Sequence, residues 1–191
     1  NGYGTYTITS QFTPADLPND PEPNDSAQIA QVLPLNDSLT GHLGYHGNGV
    51  TDIFDWWKVT TTEDGKLSIN ILYNSTICIE IYLYDQNSSS LLTSDVYCSD
   101  TNKTIFYNNL IPGTYFIKCY KYNGYGTYTI TSQFTPADLP NDPEPNDSAQ
   151  IAQVLPLNGS ATGHLGYHGN GVTDIFDWWK VTTTEDGKLS I

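Results

Sequence analysis

The chain has 191 residues, enough for one domain or two small ones, and includes 14 Tyr, 4 Trp and 6 Phe but no Met. Its 21 Asp and Glu against 7 Lys and Arg give a formal net charge of −14, which leaves no cationic surface to neutralise phosphates and excludes a nucleic-acid partner. No apolar run approaches the ~20 residues of a membrane span, so a soluble, globular chain rich in strand-forming Thr, Tyr and Ile is expected.

The chain opens on Asn1-Gly2 rather than Met, so a processed or partial chain is expected. A Pro-rich linker, Thr13–Pro23, follows the first strand-like residues and runs into the acidic stretch Asp20-Pro21-Glu22-Pro23-Asn24-Asp25. The two prolines pre-set an extended backbone, and the carboxylates and amide oxygen are the hard ligands that Ca²⁺ takes. Ser26–Val32 is the one candidate short helix, capped by Asn24, Asp25 or Ser26.

Beyond it the signals are for strands. Ser38–Tyr45 is led by a polar turn, and Phe54–Thr61 alternates with Trp57 and Val59 on one face and Trp56 and Lys58 on the other. Glu63-Asp64-Gly65 turns into Lys66–Tyr73, where Leu67, Ile69 and Ile71 share a face; Thr76–Tyr84 turns Ile79, Ile81 and Leu83 inward. Leu91–Cys98, Lys103–Asn108, Thr114–Tyr122 and Gly126–Phe134 continue the series, with Pro112-Gly113 and Asn123-Gly124 as turns. Short strands at regular spacing predict an all-β fold, a jelly-roll-like antiparallel β-sandwich.

Residues 1–69 return as 123–191, offset by 122, with only Asp37/Gly159 and Leu39/Ala161 different, so 67 of 69 positions are identical. Near-identity over that length predicts modules in tandem. In this reading 1–13 is the last strand of a preceding unit, 14–135 is a complete unit, and 136–191 is the first part of the next, the whole being a window on a longer array. A proteolytic fragment is the alternative.

The cysteines, Cys78, Cys98 and Cys119, have no zinc or CxxC spacing. If Thr76–Tyr84 and Leu91–Cys98 form a hairpin centred on Ser88, Cys78 faces Cys98 and a disulfide is in reach, leaving Cys119 as a buried thiol in a secreted protein.

In order along the unit stand EPND (Glu22–Asp25), DIFDWWKV (Asp52–Val59), DGKLSINI (Asp64–Ile71), IEIYLYD (Ile79–Asp85), LIPGTYFIKCY (Leu110–Tyr120) and GYGTYTIT (Gly124–Thr131). Together they resemble the bacterial pre-peptidase C-terminal domain, a secreted β-sandwich often appended to proteases that includes the collagen-binding modules of clostridial collagenases. The resemblance implies calcium bound by acid-x-Glu-x-Asn-Asp with two later Asp three apart. Here these match Asp20, Glu22, Asn24 and Asp25 with Asp52 and Asp55, and in the second copy Asp142, Glu144, Asn146 and Asp147 with Asp174 and Asp177. Asp20 stands where the collagenase modules carry Glu, so its reach is shorter. Calcium would pin the linker onto the sandwich; the competing reading is that EPND merely caps the short helix and starts the fold.

His42 and His46, four apart, would share a face on a strand, but a closed zinc site normally takes four ligands and polar loop histidines are the preferred reading. Nothing stands in a catalytic context, so a non-enzyme is expected. Asn36, Asn74, Asn87, Asn102 and Asn158 head N-x-S/T sequons and are glycosylation candidates. Trp56, Tyr45, Tyr82, Tyr84, Tyr120 and Tyr122 are candidates either for a sugar- or collagen-binding surface or for cross-strand and inter-module pairs. Two functions follow as expectations: an extracellular fibre, stalk or adhesin shaft whose neighbouring repeats are its partners and whose linkers are stiffened by Ca²⁺, or a collagen- or polysaccharide-binding module of a secreted hydrolase.

Overall fold

A computed structural model describes residues 3–14, 20–47, 50–137, 144–169 and 172–191. Strands β1 (Gln31–Val32), β2 (Ser38–Leu43), β3 (His46–Gly47), β4 (Val50–Thr51), β5 (Phe54–Thr61), β6 (Gly65–Tyr73), β7 (Ile77–Tyr84), β8 (Leu91–Asp95), β9 (Asn102–Leu110), β10 (Gly113–Gly124) and β11 (Gly126–Pro136) occur in that order.

Two sheets form. One has the order β1-β5-β10-β7-β8 and the other β2-β11-β6-β9, with every pairing antiparallel except β1 with β5. The alternation expected in β5, β6 and β7 holds: Trp57 and Val59, then Leu67, Ile69 and Ile71, then Ile79, Ile81 and Leu83 all lie buried between the sheets. A period of 2 places every second side chain on one face, so the strands turn their alternate apolar groups into a single core. Ile117 and Cys119 of β10 and Tyr128 and Ile130 of β11 complete it.

The chain passes from one sheet to the other between β10 and β11. Gly124 has φ +74°, and a Cβ there would sit 2.0 Å from the Thr76 carbonyl oxygen. Only glycine accepts both the left-handed backbone and the close approach.

The segment expected as a short helix is instead a single 3₁₀ turn, Ala27–Ile29, after which Gln31 and Val32 join the sheet edge beside Trp57 and Lys58. The reason lies at its start: Ser26 makes no capping hydrogen bond, and the Asn24 amide is turned back to Asp20 rather than onto the turn. Strand pairing, with Leu33 N donating to Lys58 O at 2.9 Å, then satisfies backbone groups that an uncapped helix would leave open. β8 stops at Asp95, short of Cys98, because the Asp95 carboxylate accepts the Tyr97 amide and closes a turn.

After β11 the described residues form short pairs: β12 (Gln153–Val154) with β15 (Trp179–Lys180), and β13 (His168–Gly169) with β14 (Val172–Thr173). Among the described residues no helix is long and apolar enough to cross a membrane.

Candidate metal centre

The acidic stretch lies against the sandwich where β2 ends and β5 begins. Trp56 N donates to Asn24 O at 2.9 Å, an anchor that holds the stretch beside β5. Asp20, 7% exposed, accepts the His42 amide at 3.0 Å on one oxygen and the Asn24 and Gln31 side chains at 3.1 and 3.0 Å on the other. Gln31 also donates to Pro21 O, and Glu22 accepts the Asn24 amide at 3.1 Å. The Glu22–Pro23 bond is cis.

The partners come from the chain between β4 and β5. Gly44 N donates to Asp52 O and Asp52 N to Tyr45 O, so the β3–β4 ribbon brackets Asp52 next to the end of β2. Asp55, on β5, points inward with no exposed surface. One oxygen accepts the Tyr128 hydroxyl, which itself accepts Trp57 Nε1 at 2.8 Å. The other Asp55 oxygen, both Asp52 oxygens and Asn24 Oδ1 are buried without a hydrogen-bond partner.

Two overlapping groups of ligand atoms, each within 4.8 Å, result: Glu22 with Asp52 and Asp55, and Asp20 with Glu22 and His42. Crowding carboxylates out of water disfavours their charge. Burial, then the charges of Glu22, Asp20 and Asp25, push Asp52 up to about 8. Burial, then Asp20 and Asp52, push Asp55 up to about 10. Burial likewise raises Asp20 and Glu22. The cluster thus leaves buried oxygens unpaired or favours their protonated form, and these oxygens are the ones that could ligate a cation. The donor set is hard, anionic and convergent, so the residues fit Ca²⁺.

Of the residues expected to bind metal, Asp20, Glu22, Asn24, Asp52 and Asp55 come together. Asp25 does not: it is exposed and outside both groups, though its charge reaches Asp52. In the second copy Glu144 and Asp174 converge with His164, Asn146 is fully buried, Asp147 is exposed and Asp177 is half-buried; Asp142 lies outside the described residues.

Sequence reasoning missed His42. It is not a loop histidine but lies in β2, 9% exposed, with Nδ1 3.5 Å from Asp52 Oδ2; His46 is apart on β3, bonded to Thr51. No local signal marks it: the contact with Asp52 forms only when the chain after β2 turns back at Gly44, whose amide donates to Asp52 O.

A second feature occupies the outer face of the larger sheet. Lys118 on β10 stands opposite Trp56 on one side and Tyr82 on the other. Its Nζ lies 4.1 Å from the Phe54 ring centroid, 5.7 Å from Tyr120, 5.8 Å from Trp56 and 6.0 Å from Tyr82. Phe54 stacks on Tyr120, and Trp56 lies against Tyr84. Of the six aromatics singled out, Trp56, Tyr82, Tyr84 and Tyr120 share this face. Tyr45 packs instead on His42 and Tyr125, and Tyr122 stands exposed. A groove of about 320 Å³ links the face to the acidic stretch, lined by Asp25, Gln28, Phe54, Trp56, Ser88 and Lys118.

A disulfide joins Cys78 to Cys98, their Cα atoms 5.6 Å apart, and Cys119 is a free, buried thiol. Asn36, Asn74, Asn87, Asn102 and Asn158 are all exposed. Asn36 Oδ1 nevertheless accepts the Phe134 amide at 2.8 Å, a bond internal to the fold.

Residues 53–121 match the family model of the bacterial pre-peptidase C-terminal domain. The match spans β5 to β10, and so holds Asp55, Lys118 and the aromatic face but not Asp20, Glu22, Asn24, Asp52 or Tyr128. No curated protein matches the chain. Among solved structures, the pre-peptidase C-terminal domain of the Bacillus anthracis collagenase is similar at 22% identity and a TM-score of 0.46, over 60% of this chain and 98% of that one. PliG, a periplasmic inhibitor of g-type lysozyme, is similar from Aeromonas hydrophila (10% identity, TM-score 0.36, 56% of this chain and 97% of that one) and from Salmonella Typhimurium (15%, 0.34, 56% and 99%). At these identities and scores no function passes from those proteins to this chain.

Proposed function

We propose that this chain is a non-catalytic β-sandwich module of a secreted protein that holds an extracellular polymer, collagen or polysaccharide, on the outer face of its larger sheet. The observation that carries the reading is the set of four rings around Lys118. Aromatic rings on an open, rigid sheet give large contact area at low conformational cost, and a cation among them adds a polar handle. The family match over 53–121 supports an accessory domain, and the Cys78–Cys98 bridge supports an oxidising compartment. Co-sedimentation with insoluble collagen and with insoluble polysaccharide tests it. Trp56→Ala combined with Tyr84→Ala is expected to weaken retention at least tenfold; retention by neither polymer sinks the proposal.

In the same reading Ca²⁺ is the structural ion. Glu22, Asp52 and Asp55, with Asn24 Oδ1 beside them, hold it, and its charge replaces the protons that the buried carboxylates otherwise keep. Because Glu22 and Asn24 precede the sandwich while Asp52 and Asp55 belong to it, the ion ties the linker to the fold.

The second reading, a fibre, stalk or adhesin shaft of repeated units, is favoured by the 67 identities in 69 positions. Tyr6, Ile8 and Phe12 are exposed in 3–14, whereas their equivalents Tyr128, Ile130 and Phe134 are buried in β11. In this reading 1–13 repeats the sequence of β11, 14–135 is a whole unit and 136–191 repeats the first part of that unit. Repetition of one joint along a chain generates a filament. Electron microscopy of the native material separates the two: a regular axial repeat favours the shaft, a dispersed monomer with polymer affinity the binding module.

A further inference from the structure

We infer that the polymer held on the outer face of the larger sheet is an acidic polysaccharide, a chain of sugar rings bearing carboxylates, and that Lys118 selects it by pairing with one of those carboxylates while Phe54 and Trp56 pack on the sugars. The inference rests on the polymer-binding reading above and narrows it to one class of ligand.

Charge on that face runs against the rest of the chain. The whole sequence has 21 Asp and Glu against 7 Lys and Arg, yet the outward positions of β5, β10 and β7 carry Lys58 and Lys118 and a single acid, Glu80. Glu80 stands opposite Tyr120, in the row beside that of Lys118, and accepts the Tyr82 hydroxyl. Among the described residues neither Lys58 nor Lys118 makes an ion pair. Lys118 is half-buried among the rings, and burial lowers its pKa against the weaker pull of Glu80. A cation that has lost part of its water and found no anion in its own fold gains most from an anion brought by a partner.

The groove beside Lys118 supplies the other parts of a sugar site. Its volume of about 320 Å³ lies among Asp25, Gln28, Phe54, Trp56, Ser88 and Lys118. Sites for small ligands run to roughly 300–1,000 Å³, so a short stretch of a sugar chain fits. Phe54 and Trp56 offer flat apolar faces to the C–H groups of a sugar ring. The Gln28 side chain makes no hydrogen bond among the described residues and is free to donate to and accept from sugar hydroxyls, and Asp25 can accept them. A neutral glycan uses the rings and the amide but brings Lys118 no anion. Collagen brings mainly backbone carbonyls, which an ammonium binds less strongly than a carboxylate. Acids elsewhere on the chain oppose a polyanion only weakly, because the Debye length is about 8 Å at physiological salt.

The test is calorimetric titration of the full chain, at one fixed Ca²⁺ concentration, with short oligomers of galacturonate, of guluronate and of hyaluronan. Each is paired with its methyl ester, which keeps the sugar rings and removes the charge; co-sedimentation with collagen and with an insoluble neutral polysaccharide runs alongside. At least one acid is expected to bind about tenfold more tightly than its ester, a preference that Lys118→Gln cuts below about threefold and Lys118→Arg keeps. Added NaCl should shrink the preference. Lys66→Gln removes an equal charge, one that lies 4.7 Å from the Phe106 ring centroid on the other sheet, and should leave the preference intact. No preference for any acid, or one that survives Lys118→Gln, overturns the acidic ligand; retention on collagen or the neutral polysaccharide then leaves the polymer reading standing. A preference lost equally in Lys66→Gln reflects net charge alone and overturns it too. If Lys118→Gln fails to fold, the acid-to-ester ratio of the unsubstituted chain and its salt dependence decide. Binding to none of these polymers removes both readings.

Discussion

Tyr128 of β11 donates its hydroxyl to Asp55 of β5 across the gap between the two sheets, and accepts Trp57 Nε1 at 2.8 Å in return. The bond ties the innermost carboxylate of the candidate cation site to the core. It also means that β11, the last strand of the sandwich, helps build a site whose other members lie near its start. Tyr128→Phe leaves a buried Asp55 oxygen and the Trp57 N–H unpaired, so it should destabilise the metal-free chain by about 1–3 kcal/mol, read from urea unfolding. An unchanged midpoint would mean that the link carries no energy.

Chelation should lower stability. A ligand that binds only the folded state at a hundred times its Kd adds about 2.7 kcal/mol, so millimolar Ca²⁺ should raise Tm by several degrees over EDTA. Asp55→Asn and Asp52→Asn should abolish most of that difference, and Asp25→Asn, at the exposed rim, should leave it nearly whole.

The metal-free chain should also lose stability as pH rises. An unfolded Asp titrates near 4, roughly its free value, whereas burial and neighbouring acids push Asp52 up to about 8 and Asp55 higher still. Between those limits the folded chain holds more protons than the unfolded one, so each step up in pH favours unfolding. Tm in EDTA should therefore fall from pH 5 to pH 8. In saturating Ca²⁺ the carboxylates are already ionised and the decline should vanish; parallel curves with and without Ca²⁺ would refute the account.

The bridge from Cys78 to Cys98 closes a loop of sequence separation 20. Loop-closure entropy puts its contribution at about 3 kcal/mol, so Cys78→Ser with Cys98→Ser should lower the unfolding free energy read from urea titration by that amount. Cys119, buried with its thiol pushed well up by burial, should react with a thiol reagent only after unfolding.

Stability and binding should separate on β10. Ile117 is fully buried and Ile117→Ala should cost about 2–5 kcal/mol. Trp56→Ala and Tyr84→Ala remove cross-strand contacts on the outer face worth about 0.2–1 kcal/mol each, so polymer retention should fall while the unfolding midpoint barely moves.

The sequence by itself determined the main strands and their inward faces, because period-2 burial and turn residues are local signals: Phe54–Thr61 lies where its alternation put it. It also picked out Asp20, Glu22 and Asn24 as candidate oxygen donors, since acids alternating with prolines are visible without a fold, whereas Asp52 and Asp55 are matched through the family resemblance. The tertiary structure alone decided the rest. Asn24 turned to Asp20 instead of capping a helix, and Gln31 and Val32 became an edge strand, because the open edge of β5 offered a partner that local propensity does not register. His42 reaches Asp52 from the end of β2, and Tyr128 reaches Asp55 from β11, contacts between residues far apart in the chain. Residues 22, 42, 55 and 128 meet only once the sandwich closes, and long-range packing of that kind leaves no trace in spacing along the chain.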